Sequence, residues 1–267
     1  MVDAPVPPPA AGSKSDLAPS DSPDQARIAA LEAQLAALRA EVQDFTYTVS
    51  HDLRASLRHI LSYAQLLQED AAPLLNAETL GFLNTITDSA RHMGVLMDGL
   101  TELSRLGTAE LQLQSLALSP LLQDVQAELQ ARYPTHPAQP ALWQLPDALP
   151  DVQADATQLR AVLLAVLDNA LKFSAGQPQA RIALASHSEG KPAWVLLQVQ
   201  DNGAGFNPAL QSKLFKPFSR LHSAKQFAGI GMGLALCRKR LERMGGWVKA
   251  EGVAGTGCTV TLGLPRA

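Results

Sequence analysis

The chain has 267 residues, 46% of them hydrophobic, which is enough for two modest domains with packed cores. Its formal net charge of −3 shows no basic excess and argues against nucleic acid as a partner. No apolar run approaches the roughly 18 residues of a membrane span, and the N-terminus lacks a signal-peptide core. The only two cysteines, Cys237 and Cys258, lack metal-ligand spacing. We therefore expect no membrane span, and free thiols in a reducing, cytoplasmic compartment.

Residues 1–24 are rich in Pro, Ala, Ser and Asp and carry no periodic apolar pattern, which predicts a disordered tail. From Gln25 the composition changes to strong helix formers, and we predict a helix that ends near Glu69, before Pro73. Its first apolar residues alternate spacings of three and four, the seam of a coiled coil: Ile28, Leu31, Leu35, Leu38, Val42, Phe45 and Val49. Two successive spacings of four then form a stutter, which locally unwinds a supercoil.

The stutter coincides with a polar patch, Ser50-His51-Asp52-Leu53-Arg54. Counting the repeat from Val49 places His51 on the water-facing side of the helix. An exposed imidazole beside a carboxylate can act as a nucleophile, because its ring keeps a lone pair while Asp52 orients or accepts the other proton. A solvated surface histidine is the alternative, so the interpretation depends on the rest of the chain.

A second helix is predicted from the N-cap Asn76 to Leu106, with Gly107 as its C-cap. Its apolar residues again follow three-four spacing. A hairpin of two such helices cannot bury both stripes alone, whereas pairing with a second copy gives a four-helix bundle. We therefore expect a homodimer with His51 on the outside of the bundle.

After Gly107, short β-like runs alternate with helices, which predicts an α/β sandwich with helices on one face of a largely antiparallel sheet. Strands are predicted at residues 111–118, 141–145, 181–186, 194–200, 247–250 and 259–264, with a turn at 189–190. Helices are predicted at residues 119–131, with Ser119 as N-cap, at 159–173, capped by Asp155, and at 232–244.

Four features of this second region carry chemistry. Asn169 and Lys172 share a helix face, where an amide oxygen can ligate Mg²⁺ and an ammonium can meet phosphate. The other three are rich in glycine: residues 201–206 (DNGAGF) after a strand, 229–234 (GIGMGL) before a helix, and 255–259 (GTGCT) before the last strand. Glycine amides at a helix N-terminus can cradle phosphates. Each feature alone is commonly a polar helix face or a turn, but their occurrence together favours a nucleotide site.

With these motifs in place, residues 25–265 resemble a sensor histidine kinase of two-component signalling. The polar patch at residues 50–54 resembles the phosphoacceptor box of that family. The nucleotide motifs that match are residues 166–173 (Asn box), 201–206, 229–234 and 255–259 (glycine boxes), and 214–218 (Phe box of the lid over ATP).

The resemblance implies a dimerisation and histidine-phosphotransfer domain at residues 25–107 and a catalytic ATP-binding domain of the gyrase, chaperone and histidine-kinase type at 108–267. It implies that His51 takes the γ-phosphoryl group of ATP, with Asp52 as base, and passes it to the receiver domain of a response regulator. Asn169 would hold Mg²⁺, Lys172 would contact phosphates, and Asp201 would accept a hydrogen bond from adenine. Further ATP-binding residues implied are Gly203, Gly205, Phe215, Phe218, Gly229, Gly231, Gly233 and Thr259. The ATP lobe would swing to His51 about a hinge near residues 107–110.

Some positions depart from the family pattern. Ser56 replaces a usual Pro and removes an expected kink, and Ala55 replaces a Thr or Asn associated with dephosphorylating the partner, so we expect little phosphatase activity. Ala165 and Ile230 replace a frequent Asn and Thr in the nucleotide motifs. These two leave open a degenerate kinase that acts as a dimeric scaffold, and a related ATPase without phosphohistidine is a further alternative.

The remaining expectations concern partners and two side chains. We expect the acceptor aspartate on a separate protein and a separate sensory protein as a source of input. Phosphorylation within one protomer or across the dimer remains open. His222 lies in the lid beside Arg220; we expect a solvated surface residue, with a phosphate contact as the alternative. Cys258 is expected to be a buried strand residue.

Overall fold

The computed structural model describes residues 23–133, 140–189, 194–223 and 226–267. Residues 1–22 of the tail predicted at 1–24, and position 190 of the predicted turn, lie outside these ranges, whereas Pro23 and Asp24 already belong to a helix. The chain divides into two units, Met1–Asp44 and Phe45–Ala267. In the first unit, the coiled-coil positions Ile28, Leu31, Leu35, Leu38 and Val42 lie on a helix and are exposed in the single chain.

Two long helices begin the described chain and are joined by one short turn. Helix α1 spans Pro23–Ala71, a 3₁₀ turn follows at Ala72–Leu74, and helix α2 spans Ala77–Arg105. The Asn76 side chain accepts a hydrogen bond from the backbone amide of Thr79 at 2.9 Å, so the predicted N-cap is confirmed. The part of α1 from Phe45 onward and helix α2 form the helical hairpin.

The hairpin buries only a narrow strip of its apolar surface. Leu57 and Leu61 of α1 pack against Ala90 and Met97 of α2. An ion pair between Arg54 and Asp98, 2.9 Å long, also joins the two helices. Other stripe residues stay exposed in the single chain: Val49, Leu53, Ile60, Leu67, Ile86, Met93 and Leu100. The predicted hairpin is confirmed, and most of its stripe has no cover within one chain.

The rest of the chain forms the α/β lobe, which confirms the predicted class. Its strands are β1 Gln114–Leu116, β2 Leu142–Gln144, β3 Val152–Ala154, β4 Arg181–Glu189, β5 Trp194–Asp201, β6 Trp247–Val253 and β7 Gly257–Pro265. Its helices are α3 Leu118–Arg132, α4 Ala156–Phe173 and α5 Gly233–Arg243. Five strands form a sheet in the order β2-β4-β5-β7-β6, in which only β2 and β4 are parallel, while β1 pairs antiparallel with β3.

The core of the lobe lies between the helices and the sheet, with α4 at its centre. Apolar residues of α4 recur every three or four positions and are buried: Leu159, Val162, Leu163, Val166, Leu167, Ala170 and Leu171. Asp155 starts this helix as predicted, because its side chain accepts a hydrogen bond from the amide of Gln158. The lobe therefore buries the apolar residues of α4 within a single chain.

Some sequence predictions differ from the observed elements. Helix α2 ends at Arg105 with Leu106 rather than Gly107 as its C-cap, and Glu189 of the predicted turn lies in β4. The strand predicted at residues 111–118 is limited to β1, because Leu118 already begins α3. Ser119 does not cap α3; its hydroxyl instead accepts a hydrogen bond from the amide of Leu149 at 3.2 Å. Strand β3 was not predicted, because three residues are too few to show a period. Among the described residues, no helix has the length and apolar content needed to cross a membrane.

Candidate functional site

The polar patch of α1 lies on the surface of the hairpin. The His51 side chain is 64% exposed, and its Nδ1 lies 3.2 Å from Oδ1 of Asp52. A carboxylate accepts hydrogen bonds, so in the neutral form of the ring this contact places the hydrogen on Nδ1 and leaves the lone pair on Nε2. The structure therefore presents an oriented imidazole with its free nitrogen available to a reactant.

A cavity of about 310 Å³ lies in the α/β lobe between α4, the ends of β5 and β7, and the segment before α5. Asn169 and Lys172 line it from α4, and Lys172 Nζ donates to Asn169 Oδ1 at 2.8 Å. Burial lowers the pKa of Lys172, and Asp168 opposes this shift while Arg220 adds to it. An incompletely solvated ammonium of this kind gains from a nearby anion, such as a phosphate.

Asp201 lies at the end of β5, opposite Cys258 of β7, and is only 8% exposed. Its Oδ1 accepts hydrogen bonds from the amides of Gly203 at 2.8 Å and Cys258 at 3.2 Å. Burial raises its pKa to about 6, although these backbone bonds oppose the shift. Within the described residues, Oδ2 has no protein donor, so the carboxylate retains an acceptor for a ligand in the cavity.

The segment at residues 229–233, here called the glycine loop, forms one wall of the cavity and leads into α5. Gly231 has a φ of +75°, and a side chain there would place its Cβ 2.5 Å from the backbone oxygen of Ser219. A Cβ at Gly229 would lie 3.6 Å from Lys172 Nζ, and one at Gly233 would lie 3.8 Å from Asn169 Nδ2. The loop backbone therefore approaches the two polar groups of α4 closely.

The cavity brings together seven of the residues predicted to bind ATP: Asn169, Lys172, Asp201, Gly205, Gly229, Gly231 and Gly233. Four others do not line it, namely Gly203, Phe215, Phe218 and Thr259. Thr259 lies outside because side chains alternate along β7, so that Cys258 and Val260 face the cavity instead.

The other three have roles of their own in the lobe. A Cβ on Gly203 would lie 2.6 Å from the backbone oxygen of Phe173, so this glycine allows a close backbone approach. Phe215 packs into the core, and Phe218 is 41% exposed with a φ of 59°. Direct contact with a ligand in the cavity is therefore not supported for these residues.

His222 lies in the cavity wall, contrary to the expected solvated position. Its Nε2 donates to the backbone oxygen of Gly205 at 2.8 Å. Its ring lies 5.4 Å from that of Phe173 and 5.2 Å from that of Phe227, and all three residues line the cavity. The sequence held no signal for this cluster, because His222 and Phe227, which are near each other in the chain, meet Phe173 of α4 only through the fold.

Cys258 also faces the cavity and is only partly buried. Burial raises the pKa of its thiol to about 12, and the nearby Asp201 carboxylate adds to the shift. The thiol therefore stays protonated and acts as a small apolar wall residue. Cys258 lies on a strand as expected, but its side chain faces the cavity instead of being fully buried.

Comparison with known families supports both parts of this arrangement. Residues 154–267 match the family model described as "Histidine kinase-, DNA gyrase B-, and HSP90-like ATPase". Residues 41–109 match the model described as "His Kinase A (phospho-acceptor) domain". The first match contains the cavity and the second contains the hairpin with His51.

Individual relatives agree with the family models. The chain is 31% identical over 239 residues to cyanobacterial phytochrome A of Nostoc sp. strain PCC 7120, covering 89% of this chain and 30% of the relative. It is 32% identical over 235 residues to the circadian input-output histidine kinase CikA of Synechococcus elongatus, covering 86% of this chain and 31% of the relative. The chain thus spans less than a third of the length of these relatives.

Solved structures show the same architecture. Full-length ShkA in complex with AMPPNP matches with a TM-score of 0.60 and 28% identity, over 84% of this chain and 46% of that one. The histidine kinase AdeS of Acinetobacter baumannii matches in fold, with a TM-score of 0.55 and 19% identity over 81% and 98% of the two chains. The two family models together cover the hairpin and the lobe of this chain, and the chain belongs to the sensor histidine kinases of two-component systems.

Proposed function

We propose that the chain is an ATP-dependent autokinase that phosphorylates its own His51 and passes the phosphoryl group to an aspartate of a separate response regulator. One observation carries the proposal. The same chain has an oriented, exposed imidazole at His51 and a cavity that unites Asn169, Lys172 and Asp201 with the glycine loop. The first is a nucleophile, and the second has the polar groups that a nucleoside triphosphate needs.

Each polar group of the cavity suits one part of ATP. The buried Asp201 carboxylate can accept a hydrogen bond from the amino group of adenine. The amides of the glycine loop and the Lys172 ammonium can meet the phosphates, since both lie at the N-terminus of α5 or next to it. The apolar wall residues Phe206, Cys258 and Val260 can cover the base. These assignments predict that the adenine of ATP lies near the sheet and its phosphates lie near the glycine loop.

Asn169 is the residue that would hold Mg²⁺. Its Oδ1 accepts a hydrogen bond from Lys172, so it is an oxygen already directed toward a cation. Magnesium bound to ATP usually takes one or two protein oxygens and completes its shell with phosphates and water, which a single amide can satisfy. The ion would neutralise charge on the phosphate oxygens.

Transfer to His51 would be a direct displacement. The lone pair of Nε2 forms a bond to the γ-phosphorus, while the bond from that phosphorus to the β–γ bridging oxygen breaks and ADP leaves with the electron pair. The ring then carries a positive charge, which the neighbouring Asp52 stabilises by accepting a hydrogen bond or the proton from Nδ1. In the described residues, His51 has no hydrogen bond to a cavity residue, so we propose that the lobe swings about residues 107–110 before transfer.

The exposed stripe of the hairpin supports a homodimer, because a second copy can bury it in a four-helix bundle. The phosphoryl group of His51 would then pass to the receiver domain of a response regulator. We propose that this kinase direction dominates over dephosphorylation of the partner, since Ala55 offers no polar side chain one turn after His51. Strong dephosphorylation of a phosphorylated receiver by the wild-type chain would contradict this last point.

Incubation of the full chain with γ-labelled ATP and Mg²⁺ tests the autokinase. We expect a covalent label that is lost in acid, stable in base and absent from His51→Gln. His59→Gln is a matched control, because His59 is also exposed on α1 and should leave the label unchanged. Label retained in His51→Gln would contradict the assignment of the phosphoacceptor.

The same assay separates the alternative functions. A degenerate scaffold is favoured by two departures in the cavity wall, Ala165 and Ile230. It would bind ATP or fail to bind it, but would form no phosphohistidine. A related ATPase would release phosphate without labelling the protein.

A further inference from the structure

The C-terminal part of α2 contacts the glycine loop of the nucleotide cavity. Gly99 is buried, and a Cβ there would lie 2.9 Å from Met232 Cγ and 3.1 Å from Ile230 Cδ1. Leu106, the C-cap residue of α2, and the half-buried Leu103 pack against Met232 and Ile230. The absence of a side chain at Gly99 therefore lets the loop lie directly on the helix.

A polar contact joins α2 to the helix that follows the loop. Arg240 of α5 forms an ion pair with Glu102 of α2, and its Nε donates to Oε1 of Gln158 of α4 at 3.1 Å. The Arg240 side chain is only 10% exposed, so this pair is shielded from solvent more than the other ion pairs of the hairpin. Helix α5 begins at Gly233, which belongs to the glycine loop. The loop is thus held to α2 at its own residues and again through α5.

The residues in this contact also line the cavity. Ile230 and Met232 belong to the cavity wall, and Gly231 between them lies against Ser219 on the lid side. The loop is therefore enclosed by α2 on one side and by the lid and the polar groups of α4 on the others. Ile230 replaces a frequent Thr of the family. Its contact with the apolar surface of α2 explains why an apolar side chain fits at this position.

We propose that helix α2 is a positioning element of the nucleotide site. Gly99 acts through Ile230 and Met232, and Glu102 acts through Arg240, so that together they hold the glycine loop in the shape that receives phosphates. The inference rests on the ATP binding proposed above. Because a loop held in its binding shape loses less freedom when the ligand arrives, contact with α2 strengthens nucleotide binding. By linkage, bound nucleotide strengthens the contact with α2 to the same extent.

The contact at Gly99 is tested by a side chain that the loop cannot accommodate. In the full chain, we expect Gly99→Leu to raise the dissociation constant of a non-hydrolysable ATP analogue with Mg²⁺ by about five- to tenfold. Gly81→Leu is the matched control, because Gly81 is exposed on the same helix and its Cβ would meet no atom within 4 Å. Equal dissociation constants for the two variants and the wild type would overturn the proposal.

The ion pair provides a second test that does not depend on the behaviour of Gly99→Leu. Glu102→Arg and Arg240→Glu should each weaken binding of the analogue severalfold by placing like charges together. The double variant restores opposite charges and should recover much of the affinity. If the pair had only a structural role, the double variant would bind the analogue no better than the weaker of the two single variants. That result would also overturn the proposal.

Linkage gives a third readout. Saturation of the wild-type chain with the analogue should slow amide hydrogen exchange in α2 at residues 99–106 and leave residues 77–85 unchanged. Unchanged exchange in both segments would contradict the coupling. If the wild type fails to bind the analogue at all, ATP binding and the coupling fail together. If it binds and only the variants show no effect, the coupling alone fails.

Discussion

The helical hairpin and the α/β lobe differ in how completely each buries its apolar residues. Five residues of helix α4 in the lobe are at most 1% exposed, among them Leu159, Leu163 and Leu167. In the hairpin, Leu53 and Ile60 occupy equivalent stripe positions but are 48% and 44% exposed. The same three-four spacing of apolar residues therefore gives a buried core in the lobe and a solvent-exposed apolar face in the hairpin of a single chain. An apolar stripe defines a buried face, but the element that covers it can come from another copy.

The largest effect that this comparison predicts is on association. Leu53→Asp combined with Ile60→Asp should convert the dimer to a monomer, because each carboxylate would be buried without a partner. At about 2 kcal/mol or more for each of the four carboxylates of the dimer, association loses about 8 kcal/mol, and the dimer dissociation constant should rise about a million-fold. Sedimentation velocity over a range of concentrations measures this.

A control for this variant adds two carboxylates on the polar side of the same helix. Ser62→Asp with Gln65→Asp should leave the dimer intact, since both side chains are exposed and lie outside the apolar stripe. If both double variants stay dimeric, the exposed stripe is not the interface. If both dissociate, added charge rather than the stripe is responsible.

The next effect concerns the core of the lobe. Leu167→Ala should lower the free energy of unfolding by about 2–5 kcal/mol, because Leu167 is completely buried and its removal leaves a cavity. Leu113→Ala, at a residue that is 46% exposed, should change it by no more than about 0.5 kcal/mol. Denaturant unfolding followed by tryptophan fluorescence measures both. Similar values for the two variants would mean that the lobe core is less well packed than the structure indicates.

Asp201 should make the stability of the lobe depend on pH. Its folded pKa of about 6 exceeds the ordinary value of 3.8, so between these two pH values the folded chain binds more protons than the unfolded one. Its stabilising contribution is therefore complete below pH 3.8 and is lost as pH rises through 6, on the order of 2–3 kcal/mol. The stability difference between wild type and Asp201→Asn, measured from pH 4 to 8 without nucleotide, should follow this curve.

A matched substitution distinguishes Asp201 from other cavity carboxylates. Asp168→Asn should retain the pH dependence of the wild type, because it leaves Asp201 and its burial unchanged. A flat difference curve for Asp201→Asn would mean that the carboxylate is better solvated than its position at the end of β5 implies.

The smallest effect concerns the turn of the hairpin. Asn76→Ala should destabilise the hairpin by about 1 kcal/mol, because the amide of Thr79 loses its acceptor. Asn76→Asp keeps a side-chain oxygen at the cap and should be close to the wild type. Circular dichroism during thermal unfolding, at a fixed protein concentration, compares the three. Equal losses for Ala and Asp would show that the cap contributes little.

Long elements and adjacent polar groups were predictable from the sequence. The Asn76 cap, the helix after Asp155 and the pair Asn169 and Lys172 depend on residues three or four apart, and local spacing determines which of them meet. The side of β7 that faces the cavity was not predictable in the same way. Motif resemblance pointed to Thr259, but strand alternation turns its neighbours Cys258 and Val260 inward.

Contacts between distant segments were hidden for a different reason. His222, Phe173 and Phe227 meet only because the lid folds over α4, and no local pattern relates their positions. Likewise, the sequence does not distinguish Gly99 from any other glycine in a helix, because its contact with Ile230 of the glycine loop forms only in the fold. Sequence spacing therefore predicted the groups offered to a nucleotide better than the surfaces that support them.

The ion pair between Arg54 and Asp98 is a contact through which substitutions could change the rate of the proposed autokinase. Arg54 lies one helical turn beyond His51, the proposed phosphoacceptor, and Asp98 precedes Gly99, which contacts the glycine loop. One ion pair therefore connects these two sites. Both side chains are substantially exposed, and such a pair is worth at most about 1 kcal/mol. A weak link of this kind can be strengthened or lost by single substitutions without harm to folding. In the autokinase proposed above, loss or strengthening of this pair would change the basal rate by up to about fivefold at positions outside the nucleotide cavity.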